Sequence, residues 1–219
     1  MSDGRAGVDD RVRVRRIPDR GRYDRETVYS ILDAGVHCHV GYVVSGEPYV
    51  TPTAYWRDGD FLYWHGSSAS RMLRTLAGGV GVCVAVTHVD GIVLARAAFH
   101  HSMNYRSVMA FGTAEVVQDA DEKLAALRSF TEWLVPGRWS EVRHPTPLEL
   151  KATVVLRMAL DQASAKIREG PPIDDEADYA SPFWAGVVPL TTIPGAAIPD
   201  PRLAAGIPTP ASISGLRRG

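Results

Sequence analysis

The sequence predicts a mainly β protein: an antiparallel barrel with flanking helices and a C-terminal arm. Three observations lead to this fold class. Valine-rich or aromatic segments recur between residues 36 and 117, and short turn signals separate them. An amphipathic helix is predicted from Asp119 to Val135, packed across the barrel. From Gly170 onwards the chain becomes rich in proline, as an arm would be. Five or six consecutive strands with short turns favour a closed or nearly closed barrel.

The elements of the barrel follow one another in a simple order. Asp24 caps a helix that Gly35 ends. The polar stretch from His100 to Ser107 is predicted to be a loop. Strands are predicted over residues 36–44, 49–56, 61–66, 80–86, 92–98, 108–117 and 153–160, with turns at 45–48, 57–60 and 89–91.

Composition excludes several classes of partner. The chain has 219 residues, 45% of them hydrophobic, which suffices for one domain with a substantial core. Its net charge of −1 provides no sequence-wide basic field for nucleic acid or an anionic membrane. No apolar run approaches the roughly 18 to 20 residues that a membrane span needs, and the N-terminus lacks a signal-peptide core. We therefore expect a soluble, cytoplasmic protein.

Three segments are predicted along the chain. Residues 1–20 form a flexible N-terminal arm, residues 21–169 the barrel domain, and residues 170–219 a C-terminal arm. The last arm carries Phe183 and Trp184. We expect this aromatic pair to pack on its own barrel or on a second subunit, with contact to a ligand as a further option.

The stretch from Tyr63 to Leu76, YWHGSSASRMLRTL, combines several signals for an anion site. A strand that stops at Gly66 is followed by three serines and a short helix that begins near Ser70. The first N–H groups of a helix lack intrahelical partners and carry the positive end of its dipole, so they can bind a phosphate together with Arg71. The residues alone leave a second interpretation open, in which Ser67 or Ser70 is only an N-cap and Arg71 is solvated.

Two stretches nearby have features of a surface that binds a flat ring. Trp64 and His65 come just before the anion site, and Gly66 lets a ring with a phosphate tail approach the backbone closely. Pro52 interrupts the second strand, which marks an edge, a bulge or a place where a ligand takes over the pairing.

A structural metal and a disulfide framework are not expected. Cys38 and Cys83 are the only cysteines, and each lies in an apolar strand-like segment, so buried thiols are predicted. The run from His37 to His39 has the residue types of a metal site. In a strand, however, neighbouring side chains point to opposite faces, so Cys38 cannot easily join the two histidines on one ion.

The segments YWHGSSASRML and NYRSVMAFGTAEVV, in this order among the strands, resemble the pyridoxamine 5′-phosphate oxidase-like, FMN-binding split-barrel family. The resemblance is greatest to its branch of small flavin-nucleotide-binding proteins that includes nitroimidazole-resistance-type proteins. It covers roughly Asp24 to Leu190. It implies a six-stranded antiparallel split barrel, FMN as the cofactor, and a homodimer with the cofactor at the subunit interface.

The resemblance also implies a set of cofactor-binding residues. Ser70 and Arg71 would hold the phosphate with help from Arg106. Two segments would line the flavin ring, and a third segment would form a second wall of the site. The residues of these segments that would contact the cofactor are Thr51, Pro52, Thr53, Trp64, His65, Gly66, Ser67, Tyr105 and Ser107. The C-terminus lacks the further basic residues of pyridoxamine phosphate oxidase proper. Vitamin B6 phosphate is therefore not expected to be the substrate.

The resulting hypothesis is a flavin-dependent oxidoreductase that acts on an unidentified small molecule. A flavin carries its own redox chemistry, and no acid–base pair that would be catalytic stands out. Three alternatives stay open: a deazaflavin in place of FMN, a non-catalytic flavin or haem carrier, and a chain that has kept the fold and lost the ligand. In a haem carrier, His65, His100 or His101 could ligate the iron.

Overall fold

The computed structural model describes residues 9–216 and folds them into two antiparallel sheets flanked by helices. Its strands are β1 (Gly21–Arg22), β2 (His37–Val44), β3 (Glu47–Ala54), β4 (Trp56–Asp58), β5 (Phe61–Ser67), β6 (Gly81–Leu94), β7 (Ser102–Thr113), β8 (Glu115–Val116), β9 (Thr153–Ala159), β10 (Gln162–Arg168) and β11 (Gly186–Pro189). Its helices are α1 (Arg25–Asp33), α2 (Arg71–Ala77), α3 (Ala120–Leu134), α4 (Pro147–Ala152) and α5 (Ala211–Ser214). The mainly β class is confirmed, although residues 9–216 contain eleven strands, more than the seven segments predicted from the sequence or the six of the barrel that the resemblance implied.

The large sheet has seven strands in the order β1, β10, β7, β6, β2, β3, with β11 added beside β6. Residues that pair in antiparallel register share one face of a sheet, because side chains alternate along each strand. The inner face carries buried valines such as Val40 and Val84, which face the core. The opposite face, which we call the outer face, carries His37, His39, Gly41, Val43, Val50, Pro52, Cys83, Ala85, Thr87, Val89, Tyr105, Ser107, Met109, Phe111, Ser164 and Lys166.

The small sheet has four strands in the order β4, β5, β9, β8, and it is covered on both faces. Leu62 and Trp64 of β5 point into the main core with the valines of the large sheet. The alternate residues of β5 face α3, where Trp56, Val117, Ala126 and Val155 form a second buried cluster. Helix α3 therefore packs on the back of the small sheet, as its apolar stripe predicted.

Buried side chains of α1 and α2 complete the main core. Ile31 and Leu32 of α1 and Leu73 and Leu76 of α2 are at most 1% exposed. Asp24 caps α1 by accepting a hydrogen bond from the Thr27 backbone N–H, as predicted. These helices therefore hold the two sheets together through apolar burial.

Three local predictions were wrong. The stretch at 89–91 is a β-bulge within the long strand β6 rather than a turn, and the predicted loop at His100–Ser107 is strand from Ser102 onwards. Strand β10 was not predicted. Gly91 is needed at the bulge because a Cβ there would lie 2.9 Å from Val187 Cγ1 of β11. Pairing with distant strands, rather than local sequence, decides these segments.

Both ends of the described chain contact the sheets. Val12 is 8% exposed, and the Arg11 guanidinium lies 4.6 Å from the centroid of the Phe111 ring on the outer face. In the C-terminal segment, β11 pairs with β6, and the Ser212 hydroxyl donates to the Glu141 carboxylate. Residues 1–8 of the predicted N-terminal arm lie outside the described part of the chain.

Within residues 9–216 the helices are all too short or too polar to cross a membrane. Cys38 and Cys83 are both free thiols. Cys38 is fully buried on the inner face, and burial raises its pKa to about 12. Cys83 lies on the outer face and is only partly covered, so the expectation of burial holds for the first thiol alone.

Candidate functional site

The start of α2 is built by residues that lie close together in sequence. Ser70 has extended backbone angles, and its Oγ accepts a hydrogen bond from the Leu73 N–H at 3.4 Å, so it is the N-cap. Ser67 closes the preceding turn by accepting the Ser70 N–H at its carbonyl, 2.9 Å away. The apolar side chains of α2 anchor the helix in the core. This anchoring fixes the direction in which the first turn of the helix points.

Arg71 is exposed at this first turn and is held by an aromatic stack. Its guanidinium carbon lies 4.6 Å from the centroid of the Tyr49 ring, which itself stacks on Tyr42 at 5.5 Å. The Tyr42 hydroxyl lies 3.3 Å from the Thr51 hydroxyl. Among residues 9–216 no carboxylate pairs with Arg71. The guanidinium is therefore positioned by a neutral ring and can bind an anion.

In the tripeptide Trp64-His65-Gly66, the tryptophan is buried and the other two residues are partly covered. Trp64 is 0% exposed in the core, and its indole N–H has no hydrogen-bond partner among residues 9–216. His65 lies on the opposite face of β5, with its ring centroid 4.5 Å from that of Phe130. Burial lowers the pKa of His65, and its Nδ1 is buried without a hydrogen-bond partner in the described part of the chain. A Cβ on Gly66 would lie 3.1 Å from Leu73 Cδ1, so this glycine lets α2 pack closely against the strand.

The predicted site residues on β3 and β7 alternate between the two faces of the large sheet. Thr51 and Thr53 are on the inner face, whereas Pro52 is on the outer face opposite His39. Tyr105 and Ser107 are on the outer face, and the Ser107 hydroxyl donates to the Lys166 carbonyl.

Arg106 has a carboxylate partner within its own sheet. Its Nε and Nη2 each donate to the Asp90 carboxylate at 2.9 Å, and this pairing raises the pKa of Arg106. Asp90 lies at the β-bulge, where the extra residue brings its side chain to β7. The guanidinium of Arg106 is therefore already engaged, unlike that of Arg71.

One chain does not bring all the predicted residues together. Strands β3 and β7 are separated by β2 and β6, which corresponds to about 14 Å at the usual spacing between strands. The structure groups Thr51, Gly66, Ser67, Ser70 and Arg71 around the start of α2. It places Tyr105, Arg106 and Ser107 on β7, three strands away from β3. The assignment of all these residues to one cofactor stays a prediction.

The outer face contains a pair of histidines that the sequence analysis did not connect with a ligand. His37 and His39 are both exposed, and their ring centroids are 5.0 Å apart in an edge-to-face arrangement. Cys38 points into the core between them, as the alternation of a strand predicted. Around the histidines the face exposes apolar side chains, including Val43 at 53% and Val50 at 68%. The period of two in HCHV indicated this geometry, but not its apolar surroundings.

A cavity of about 230 Å³ lies on the same face, between the N-terminal segment and strands β7 and β10. We call it the arm cavity. It is lined by Arg11, Val12, Arg13, Val14, Arg15, Arg16, Ser107, Met109, Phe111, Ser164 and Lys166. Its lining thus contains five basic side chains and no acidic one among the residues that the structure describes. Ser107 is the one predicted site residue in this lining.

Comparisons with known proteins agree with this architecture. The family model described as pyridoxamine 5′-phosphate oxidase matches residues 24–167. The chain is 44% identical to a flavocytochrome from Azotobacter vinelandii, over 96% of this chain and 98% of that one, with a TM-score of 0.91. It is 42% identical to an FAD- and haem-binding protein from Mycobacterium smegmatis, over 91% and 98% of the two chains, with a TM-score of 0.88.

A more distant structure shares the fold. It is a protein from Bacteroides thetaiotaomicron assigned to 5-nitroimidazole antibiotic resistance, and it is 24% identical to this chain. The match covers 67% of this chain and 86% of that one, with a TM-score of 0.56. No curated protein matches the sequence.

Proposed function

Because the chain belongs to the pyridoxamine 5′-phosphate oxidase family of flavin-binding split-barrel proteins, we propose that it is a homodimeric oxidoreductase that holds a flavin and a haem. The flavin in this proposal is FAD rather than the predicted FMN, since the relative from Mycobacterium smegmatis is described as binding FAD. When bound, a flavin exchanges electrons in ones or twos and a haem exchanges single electrons. The substrate is a small molecule whose identity is open.

One observation carries the flavin part of the proposal: Arg71 lies at a serine-capped helix start, without a carboxylate partner among residues 9–216. A flavin phosphate requires a site of this kind, with backbone N–H groups and a guanidinium. Thr51 provides a hydroxyl next to the same aromatic stack. Trp64 is buried and His65 packs against Phe130, so in this chain their segment would contact a ring through its backbone.

The haem part of the proposal assigns the iron ligand to the outer face. His65 is covered by Phe130, His100 lies 3.4 Å from the Asp175 carboxylate, and the ring of His101 is hydrogen-bonded to the Ala97 carbonyl. By contrast, His37 and His39 are exposed on an apolar surface, which is the surrounding that a haem requires. Their two rings touch, which leaves no room for an iron between them. One imidazole per chain would therefore ligate the iron.

A homodimer explains two features of the single chain. The outer face exposes Val43, Val50, Val89 and Met109, each between 44% and 68%, which is typical of a surface that a second copy covers. A second copy also provides a way to bring Tyr105 and Ser107 of one chain towards the start of α2 of the other. The wide separation of β3 and β7 within one chain would then not prevent residues of both strands from contacting the same cofactor.

The decisive experiment is a visible spectrum of the purified protein, followed by acid release and mass identification of the bound groups. We expect flavin bands together with a Soret band, and the mass of FAD. The mass of FMN or of a deazaflavin would replace FAD in the proposal. A colourless protein that takes up neither flavin nor haemin would overturn it.

A variant pair assigns the flavin to the start of α2. Arg71→Gln should weaken flavin binding by about tenfold or more, because it removes the unpaired guanidinium. Arg74→Gln, one turn later on the same helix and also exposed, is the matched control and should change affinity by less than about twofold. Equal losses in both variants would contradict a specific phosphate contact. Arg71→Lys should recover part of the affinity because it keeps the charge.

A further inference from the structure

The arm cavity and His39 lie on the same row of the outer face. His39 pairs with Ala85, Ala85 pairs with Met109, and Met109 pairs with Ser164, so the four residues cross the sheet side by side. Met109 and Ser164 both line the cavity. At the usual spacing between strands, about 10 Å separates His39 from Met109 along this row and about 14 Å separates it from Ser164.

The row between the histidine and the cavity is flat and apolar. Ala85 comes after His39 along this row and has only a methyl side chain, and Met109 is 46% exposed. A planar ring ligated at His39 can therefore lie over Ala85 and contact the Met109 thioether. His37 has no such neighbour in the described pairing, because the ladder between β2 and β6 begins at His39.

The cavity has an excess of positive charge. Arg15 pairs with Asp10, and Arg11 is stacked on Phe111. Arg16 and Lys166 have no carboxylate partner among residues 9–216. The hydroxyl of Ser107 donates to the Lys166 backbone carbonyl, which ties the serine to β10, and the Lys166 side chain is partly exposed and belongs to the cavity lining. Cations that line a cavity and lack a carboxylate partner within the described part of the chain favour an anionic ligand.

We propose that the arm cavity binds the two carboxylates of a haem whose iron is ligated by His39, with Arg16 and Lys166 as the principal cationic contacts. This inference rests on the proposed binding of haem. Both carboxylates of a haem lie on one edge of the ring, so one cavity can receive both. The N-terminal segment then closes over the haem edge, with Val12 and Val14 packed on the sheet and the arginines of the RVRVRR run beside the carboxylates.

The test compares haemin with haemin dimethyl ester, in which both carboxylates are neutral. Each is titrated into the full-length protein freed of haem, and the dissociation constant is read from the Soret band. Wild-type protein should bind haemin at least about tenfold more tightly than the ester. In the double variant Arg16→Gln/Lys166→Gln the two ligands should bind almost equally.

The matched control is Arg128→Gln/Lys151→Gln, which removes the same charge from exposed positions on α3 and α4 and should keep the wild-type ratio. Equal affinities of the two ligands in wild-type protein would overturn the inference while leaving haem binding intact. A wild-type protein that binds neither ligand would instead overturn the proposed haem function. A flavin affinity that falls in the double variant, with the haemin ratio unchanged, would assign the cavity to a flavin phosphate and also overturn the inference.

Discussion

At the start of α2, the turn and the helix of the proposed flavin site are held by neighbours in sequence and by the buried core, whereas the Arg71 guanidinium stacks on Tyr49 of β3. Ser67 and Ser70 close the turn and cap the helix, and Leu73 and Leu76 anchor it. The outer face of the large sheet is assembled differently. Its histidines, its small residue and its cavity come from segments far apart in the chain, and the histidine side chains are exposed.

In the α2 region the same residues therefore affect both stability and ligand binding, whereas on the outer face they can affect ligand binding with little effect on stability. The first turn of α2 points where it does because the same helix fills the core, so changes there affect both folding and binding. The outer face contributes little to the core of the single chain. Its exposed side chains are free to be selected for a ligand or a second copy.

The largest expected effect is on the stability of the α2 region. Leu73 is 1% exposed, so Leu73→Ala should lower the free energy of unfolding by about 2–5 kcal/mol, since it removes buried contacts and leaves a cavity. Val50 on the outer face is 68% exposed, and Val50→Ala should cost less than about 1 kcal/mol. Urea unfolding of both variants at one protein concentration measures the difference.

The flavin affinity of the two variants sharpens the comparison. Leu73→Ala should also weaken flavin binding, because the helix start loses its anchor, whereas Val50→Ala should not. A Leu73→Ala protein with full flavin affinity would show that the first turn of α2 is positioned independently of the core. A Val50→Ala protein as unstable as Leu73→Ala would show that the outer face is part of the core of the assembled protein.

The helix starts and the strand alternation that were predicted correctly from the sequence depend on local signals. Ser70 before an apolar helical run, and Asp24 and Asp119 before two others, each predicted a helix start that the structure confirms. The alternation in HCHV predicted that Cys38 would face away from both histidines. These features depend on residues within one turn or one strand.

Non-local pairing accounts for what the sequence did not reveal. The stretch after His100 is polar and resembles a loop, but it becomes strand because β6 and β10 pair with it on both sides. The row from His39 to Ser164 exists only once four strands are in register. No local pattern could indicate that an arginine-rich N-terminal segment lies over that row.

The second prediction tests whether the outer face is specific. His39→Ala should lower haem affinity by roughly 100-fold, because it removes the proposed iron ligand, whereas His37→Ala should cost less than about tenfold. Neither change should alter flavin binding or the midpoint of urea unfolding of the haem-free protein, since both side chains are exposed. Haemin titrations and unfolding curves measure the two effects. A larger loss of haem affinity in His37→Ala would make His37 the iron ligand. The ligand would then no longer lie on the row that leads to the arm cavity.

The smallest expected effect concerns His65, which lies on β5 and packs against Phe130 of α3. Burial lowers the pKa of His65 in the folded protein. The unfolded chain therefore binds a proton at this histidine near the ordinary pKa of about 6.5, whereas the folded protein does so only at lower pH. The unfolded state therefore binds more protons as the pH falls, and stability that is fully present above that value is lost on acidification. One such group contributes at most about 1.4 kcal/mol per pH unit.

His65→Gln removes this titration, although it also disturbs the contact with Phe130, so the absolute stability of the variant is not informative. The slope of the unfolding free energy between pH 7 and pH 5 is informative, because a packing defect shifts the whole curve without tilting it. We expect a shallower slope in His65→Gln than in wild-type protein, measured by urea unfolding at several pH values. Equal slopes would mean that His65 accepts a proton in the folded state. Water would then reach the buried Nδ1 of this side chain, which packs against Trp56 and Phe130.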